Sequence, residues 1–181
     1  MIHRSLYDII KLGPIRVDVV GKFSLAILTG LDYLYVNHRI MHRDIQPSNV
    51  IINSRGHIKL FNFGVSSELM NSIADTFVGS VGYMAPERIQ QAPYTIKSDI
   101  WAVGLTIIEA ATSCFPFFAQ DSNNQKHYPL STLDLLQHIV YEPAPKLPQS
   151  DAFPTVLHQF VEKCLMKDPE DRPRPGDLLV S

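Results

Sequence analysis

The spacing of apolar and polar positions divides the chain into a few elements. From Val17 to Asn37, Val20, Phe23, Ile27, Leu31 and Leu34 recur at steps of three or four, which predicts a long amphipathic helix. Before it, SLYDIIKL reads as a short helix stopped by Gly13 and Pro14. After a polar loop containing Pro47 come VIIN and HIKLFNF, short runs rich in β-branched or aromatic residues. Asn53, Ser54 and Gly56 lie between them, so a small hairpin is expected. The stretch from Ser98 to Thr112, SDIWAVGLTIIEAAT, is apolar on nearly every face, as suits a helix buried at the centre of a domain. STLDLLQHIV and TVLHQFVEKCLMK are two further helices, the second with Pro154 near its first turn. Pro143, Pro145 and Pro148 keep the link between them extended. GVSSELMNSIADTFVGSVGYMAPERI and the stretch from Cys114 to Leu130 lack a clean period and read as loops. The result is a mainly α-helical domain with one small β-hairpin and no internal repeat.

Composition narrows this picture. A chain of 181 residues suits one domain, or one large lobe of a larger one. Hydrophobic residues make up 45 %, which predicts a packed core. Sixteen basic and eighteen acidic residues give a formal charge of −2 with no basic stripe, so nucleic acid is not an expected partner. Cys114 and Cys164 show no CxxC spacing and read as reduced core thiols. No run of about 18 apolar residues occurs, so no membrane span is expected. The start, MIHRSLYDIIKLG, is too polar for a signal peptide. A reducing, cytoplasmic compartment is the expectation that follows.

The candidate chemistry lies in HRDIQPSNVIIN. The stretch resembles the catalytic loop of eukaryotic protein kinases, H-R-D-x-K-x-x-x-N in its common form. Phosphoryl transfer in that family needs a carboxylate within hydrogen-bond reach of the acceptor hydroxyl, and the resemblance puts Asp44 in that place. An amide oxygen five residues on can ligate magnesium, and the resemblance puts Asn49 there. NFG at Asn62, Ala85-Pro86-Glu87, SDIWAVG with Asp99, Trp101 and Gly104, and KDPEDRP with Arg172 follow in the family's order. NSIADTFVGSVGYMAPERI, YTIKSDIW and IVYEPAPKLP are similar to the MAP kinase kinase group.

The resemblance implies the helical large (C-terminal) lobe of a kinase. Residues 1–181 would be a partial kinase domain with its catalytic loop at 42–49 and its activation segment at 62–87. It implies ATP and Mg2+ as cofactors, a MAP kinase as substrate and an upstream kinase as activator. Asp44 would be the base, Asn49 and Asn62 the metal ligands, and Gln46 the phosphate-facing position of the loop. Ile51, with Val50 and Ile52, would floor the adenine site and face water without a small lobe above. Ser72 and Thr76 fall on the two phosphorylated positions, and Arg43 would pair with a phosphate there. His42 would pack beneath Phe63, and Glu87 would form a buried ion pair with Arg172.

Two departures change the expected function. No G-x-G-x-x-G occurs, and no VAIK lysine or partner glutamate precedes SLYDIIKL, which resembles the helix just after the hinge. The small lobe (N-lobe) is therefore expected to be absent, and is itself a candidate partner for the bare apolar surface. Asn62 also stands where the pattern has aspartate, and Gln46 where it has lysine. Charged partners are worth roughly twice their neutral counterparts, and each 1.36 kcal/mol is about tenfold in rate. The expectation is a signalling binding module inactive as an isolated kinase. The alternative is a fragment of an active MAP kinase kinase whose small lobe lies elsewhere.

Overall fold

The computed structural model describes residues 3–62, 81–117, 119–120, 126–127 and 131–180. Phe63, Ser72 and Thr76, with the roles expected of them, lie outside the described residues. The helices are α1 (Leu6–Ile10), α2 (Val17–His38), α3 (Pro86–Ile89), α4 (Ile96–Thr112), α5 (Thr132–Tyr141), α6 (Thr155–Cys164) and α7 (Pro175–Leu179). The strands are β1 (His3–Ser5), β2 (Val50–Asn53), β3 (Ile58–Leu60), β4 (Ala119–Gln120) and β5 (Lys126–His127). A 3-10 turn, Pro47–Asn49, leads into β2.

The centre is α4. Thr95 caps it, with Ser98 returning a hydrogen bond to the cap. Every residue from Ser98 to Ala111 is buried, as the all-round apolar pattern predicts. Helix α2 lays Val20, Phe23, Ile27 and Leu31 into the same core, and it packs on α4, α7 and β3. Leu34 is only half-buried, because α2 runs out past the core before ending at Arg39 in the left-handed conformation. By length and composition alone α2 is apolar enough to cross a membrane, but its apolar stripe is spent on these neighbours. Helix α6 packs along the other side of α4. There Gly104 lies so close that a Cβ would sit 2.8 Å from Cys164 and Leu165. Cys114 and Cys164 are free thiols.

The structure corrects the sequence expectation in several places. The hairpin is the larger part of a three-stranded antiparallel sheet, because His3–Ser5 pairs with β2 from His3↔Asn53 to Ser5↔Ile51. Three polar residues carry no alternation, so β1 left no signal. Val50, paired with Leu60 of β3, is fully buried, and Ile51 and Ile52, flanked by β1 and β3, are half-buried, so the expected bare surface is covered in part. The stretch after Cys114 is not all loop, since β4 and β5 pair within it. Helices α3 and α7 are too short to show a period, though each starts with proline at its first position. Pro154 does lie next to the first turn of α6, as its N-cap residue, but α6 ends at Cys164, short of Lys167.

Candidate active site

The loop 42–49 is fastened to α4 by one carboxylate. Asp99, at 1 % exposure, accepts the backbone N–H of His42 at 2.9 Å and of Arg43 at 2.8 Å, and the hydroxyl of Tyr94. Burial pushes the Asp99 carboxyl up, and these three donors oppose that shift. Arg43 sits at φ 69, in the left-handed region that an arginine rarely adopts. Its N–H on Asp99 and its carbonyl, which accepts from Arg88 at 2.9 Å, hold it there. The guanidinium groups of Arg43 and Arg88 both lie over the Tyr94 ring, at 5.7 and 5.3 Å.

His42 ties the loop to β3. Its Nε2 lies 3.0 Å from the carbonyl of Phe61, and the Asp44 N–H points at its Nδ1 at 3.4 Å. A carbonyl only accepts and an N–H only donates, so the proton belongs on Nε2. Burial pulls the His42 pKa below its ordinary value, although Asp99, the Phe61 carbonyl and Asp44 push the other way. The imidazole is therefore neutral, and its fastening is to the backbone just before Asn62.

Asp44 is half-buried, and both its oxygens are engaged. Gln46 Nε2 donates to Oδ1 at 2.8 Å, and Asn49 Nδ2 donates to Oδ2 at 2.7 Å and to the Asp44 carbonyl at 2.8 Å. Asn49 is buried, and the 3-10 turn that carries it starts at Pro47. Asn49 thus turns its nitrogen to Asp44 and keeps its Oδ1 for another partner. The Phe61 N–H donates to the Asn49 carbonyl at 2.9 Å, which sets the following residue, Asn62, at the same end of the loop. Asn62 is exposed and adopts φ 63, a conformation asparagine tolerates better than most residues. A small pocket lined by Arg43, Asp44, Tyr83, Met84, Arg88 and Asp99 lies against the base position.

The structure thus joins Asp44, Gln46 and Asn49 by hydrogen bonds, fastens His42 and Arg43 to Asp99, and leaves Asn62 exposed one residue beyond Phe61, whose N–H binds the Asn49 carbonyl. Ile51 lies half-buried on β2 behind them. This donor set fits magnesium-bound ATP poorly. It offers three neutral amides, of Gln46, Asn49 and Asn62, and one carboxylate already occupied by two N–H groups. Among the described residues, no group of three or more His, Cys, Asp or Glu could hold a metal ion, and no lysine or arginine pairs with Asp44.

The second expected pair forms fully. Arg172 donates to Glu87 from Nη2 at 2.5 Å and from Nη1 at 2.8 Å, and Ser98 Oγ donates to the same carboxylate at 2.7 Å. Arg172 also reaches the carbonyls of Met166 and Lys97, and its guanidinium lies 5.5 Å from the Trp101 ring. Burial pushes the Glu87 carboxyl up, but the hydrogen bonds from Arg172 and Ser98 outweigh it, and the group lies below its ordinary value.

Comparison with known proteins decides the family. The protein kinase domain model matches residues 1–180. The chain belongs to the protein kinase family. It is 61 % identical over 167 residues to a mitogen-activated protein kinase kinase, MST7, of Pyricularia oryzae, covering 92 % of this chain and 40 % of that protein. It is 42 % identical over 215 residues to the dual specificity protein kinase FUZ7 of Mycosarcoma maydis, covering 93 % of this chain and 49 % of that protein. The kinase chain thus spans less than half the length of either relative. Sequence reasoning missed Tyr94 and Arg88 as supports of its loop. A lone aromatic in a loop carries no periodic signal, and the only hint for Arg88 was its place directly after Glu87.

Proposed function

We propose that this chain is the large lobe of a MAP kinase kinase-type protein that recognises partner kinases through its surface and, by itself, transfers no phosphate. One observation carries the reading. Asp44 and Asn49 keep the hydrogen-bonded arrangement of a catalytic loop, while the positions that would bring charge to it hold the amides of Gln46 and Asn62. Catalysis of phosphoryl transfer is mostly positioning and electrostatic stabilisation, so a loop with shape and no charge retains recognition and loses turnover. In this reading Asp44 orients a partner's hydroxyl, Arg43 faces a phosphorylated activation segment, and Ser72 and Thr76 are its phosphorylation sites. The name of one relative, a mitogen-activated protein kinase kinase, supports a MAP kinase as the partner below, and the resemblance of the activation segment supports an activating kinase above.

The test titrates the purified chain into a MAP kinase by calorimetry, with transfer from labelled ATP assayed in parallel. Saturable binding without transfer is expected. Transfer by the isolated chain, or no binding at all, overturns the proposal. The coverage of the relatives favours one second reading, a piece of an active kinase completed by a small lobe. Fusion to the small lobe of a related kinase separates the two. Transfer by the fusion with Gln46 and Asn62 unchanged supports the second reading.

A further inference from the structure

Gln46 and Asn62 stand where the kinase pattern has a lysine and an aspartate. The exchange removes one positive and one negative charge, so the loop carries the same net charge with both changes as with neither. Gln46 Nε2 lies 2.8 Å from Asp44 Oδ1, where a lysine ammonium would close an ion pair. Asn62 follows Phe61, whose N–H binds the Asn49 carbonyl and whose carbonyl meets His42. Gln46 therefore touches Asp44 directly, and Asn62 stands one residue beyond the backbone bond that ties β3 to Asn49.

Either change alone would unbalance the Asp44 end of the loop. A lysine at 46 with an amide at 62 would bind Asp44 as a closed ion pair, with no second anion to share the cation. A carboxylate at 62 with glutamine at 46 would add a second anion with no cation to offset it. Like charges held close are unfavourable, and the effect is long-ranged where water is partly excluded. The amide of Gln46 keeps the hydrogen bond that orders Asp44 and drops the charge.

We propose that Gln46 and Asn62 are compensating partners, which convert the Asp44 end of the loop from one that closes around a divalent cation into one where amides, not ionic groups, hold Asp44. Gln46 is then a positioning residue for Asp44, and not a second independent loss. The inference rests on the reading of residues 42–49 as a kinase catalytic loop.

A double-mutant cycle on the full chain tests it: Gln46→Lys, Asn62→Asp and both together, unfolded by denaturant in chelator at low and at high salt. Asn62→Asp is expected to destabilise the chain in chelator, and added Mg2+ to restore it. The double variant should unfold less readily than the product of the single effects requires, by about fivefold or more in the unfolding constant. Salt should shrink that coupling, since the screening length falls from about 30 Å to about 3 Å between 0.01 and 1 M. A merely structural contact would not respond to salt or to Mg2+. Gln46→Met, which brings no cation, should give no compensation with Asn62→Asp. Effects that multiply within about twofold overturn the pairing. The unaltered chain provides a check that needs no variant. Titration with Mn2+ should leave the side-chain amide signals of Asn49 and Asn62 sharp, and saturable broadening of both overturns the proposal. Binding of a MAP kinase is read separately. Multiplicative effects with that binding intact sink the pairing and leave the proposed function standing.

Discussion

Glu87 and Asp44 are both carboxylates of this lobe, and they keep opposite company. Glu87 is buried and faces the guanidinium of Arg172 through two hydrogen bonds, with Ser98 donating to one of the same oxygens, Oε1. Asp44 is half-buried and faces amide N–H groups, from Gln46 and Asn49. The difference follows from solvent. A buried charge stripped of its partner costs several kcal/mol, so neither member of the Glu87–Arg172 pair can change alone. Water can still reach the Asp44 end, where a balanced pair of opposite charges can be exchanged for amides with little net effect on folding. The Glu87–Arg172 pair and the Asp44 end of the loop are thus open to separate change, and here amides rather than a cation face the carboxylate only at the Asp44 end.

The sharpest way to break this comparison is Arg172→Leu. It leaves Glu87 buried and unpaired, and the expected loss is about 3–5 kcal/mol by denaturant unfolding. A loss below about 1 kcal/mol would mean that the frame depends on its charges no more than the centre does. The acid limb adds a sign. The Glu87 carboxyl lies below its ordinary value in the folded chain, so its contribution is complete above the unfolded pKa, about 4.3. It is lost as pH falls below that, and Arg172→Leu should flatten this part of the stability profile.

Asp99→Asn ranks next. Asp99 takes three donors on two oxygens, and the amide nitrogen of asparagine would face N–H groups in place of one oxygen. A loss of about 1–3 kcal/mol is expected. Hydrogen exchange at the amides of His42 and Arg43 should rise with it, because those N–H groups are the ones left unpaired. Unchanged exchange there would show that the loop is held some other way.

How much of this could be read in the sequence depends on how each feature declares itself. Helix α4 was plain because a helix buried on all sides must be apolar on all sides. Asp44, Asn49, Asp99, Glu87 and Arg172 were found through motif order, and the contacts among them then follow from the fold. Strand β1 was invisible because its three residues, His3 to Ser5, join the sheet by backbone pairing alone. Gln46 was half legible. The letter shows a lost charge, but only the geometry shows that the hydrogen bond to Asp44 was kept. Tyr94 was not legible, since its partners, Asp99 and the two arginines, come together only in three dimensions.

The smallest expected effect joins the two regions. His42 touches Asp99 through its backbone N–H, and Phe61 and Asp44 through its ring. Burial holds its pKa below the ordinary value, so the folded chain keeps the imidazole neutral while the unfolded chain binds a proton below about pH 6.5. A group with a lowered folded pKa contributes stability that is present above the unfolded value and lost as pH falls. Between pH 7 and pH 6 the loss from this one group is about 0.7 kcal/mol if the folded imidazole stays neutral throughout. His42→Gln can still donate to the Phe61 carbonyl from the place of Nε2, giving up only the long contact with the Asp44 N–H, and it cannot titrate. That variant should therefore lose this pH dependence while keeping most of its stability at pH 7, as followed by denaturant unfolding at both pH values. If the unaltered chain instead gains stability from this group on acidification, the imidazole is charged in the folded state. The neutral link between the anchored frame and the amide-held centre would then be wrong.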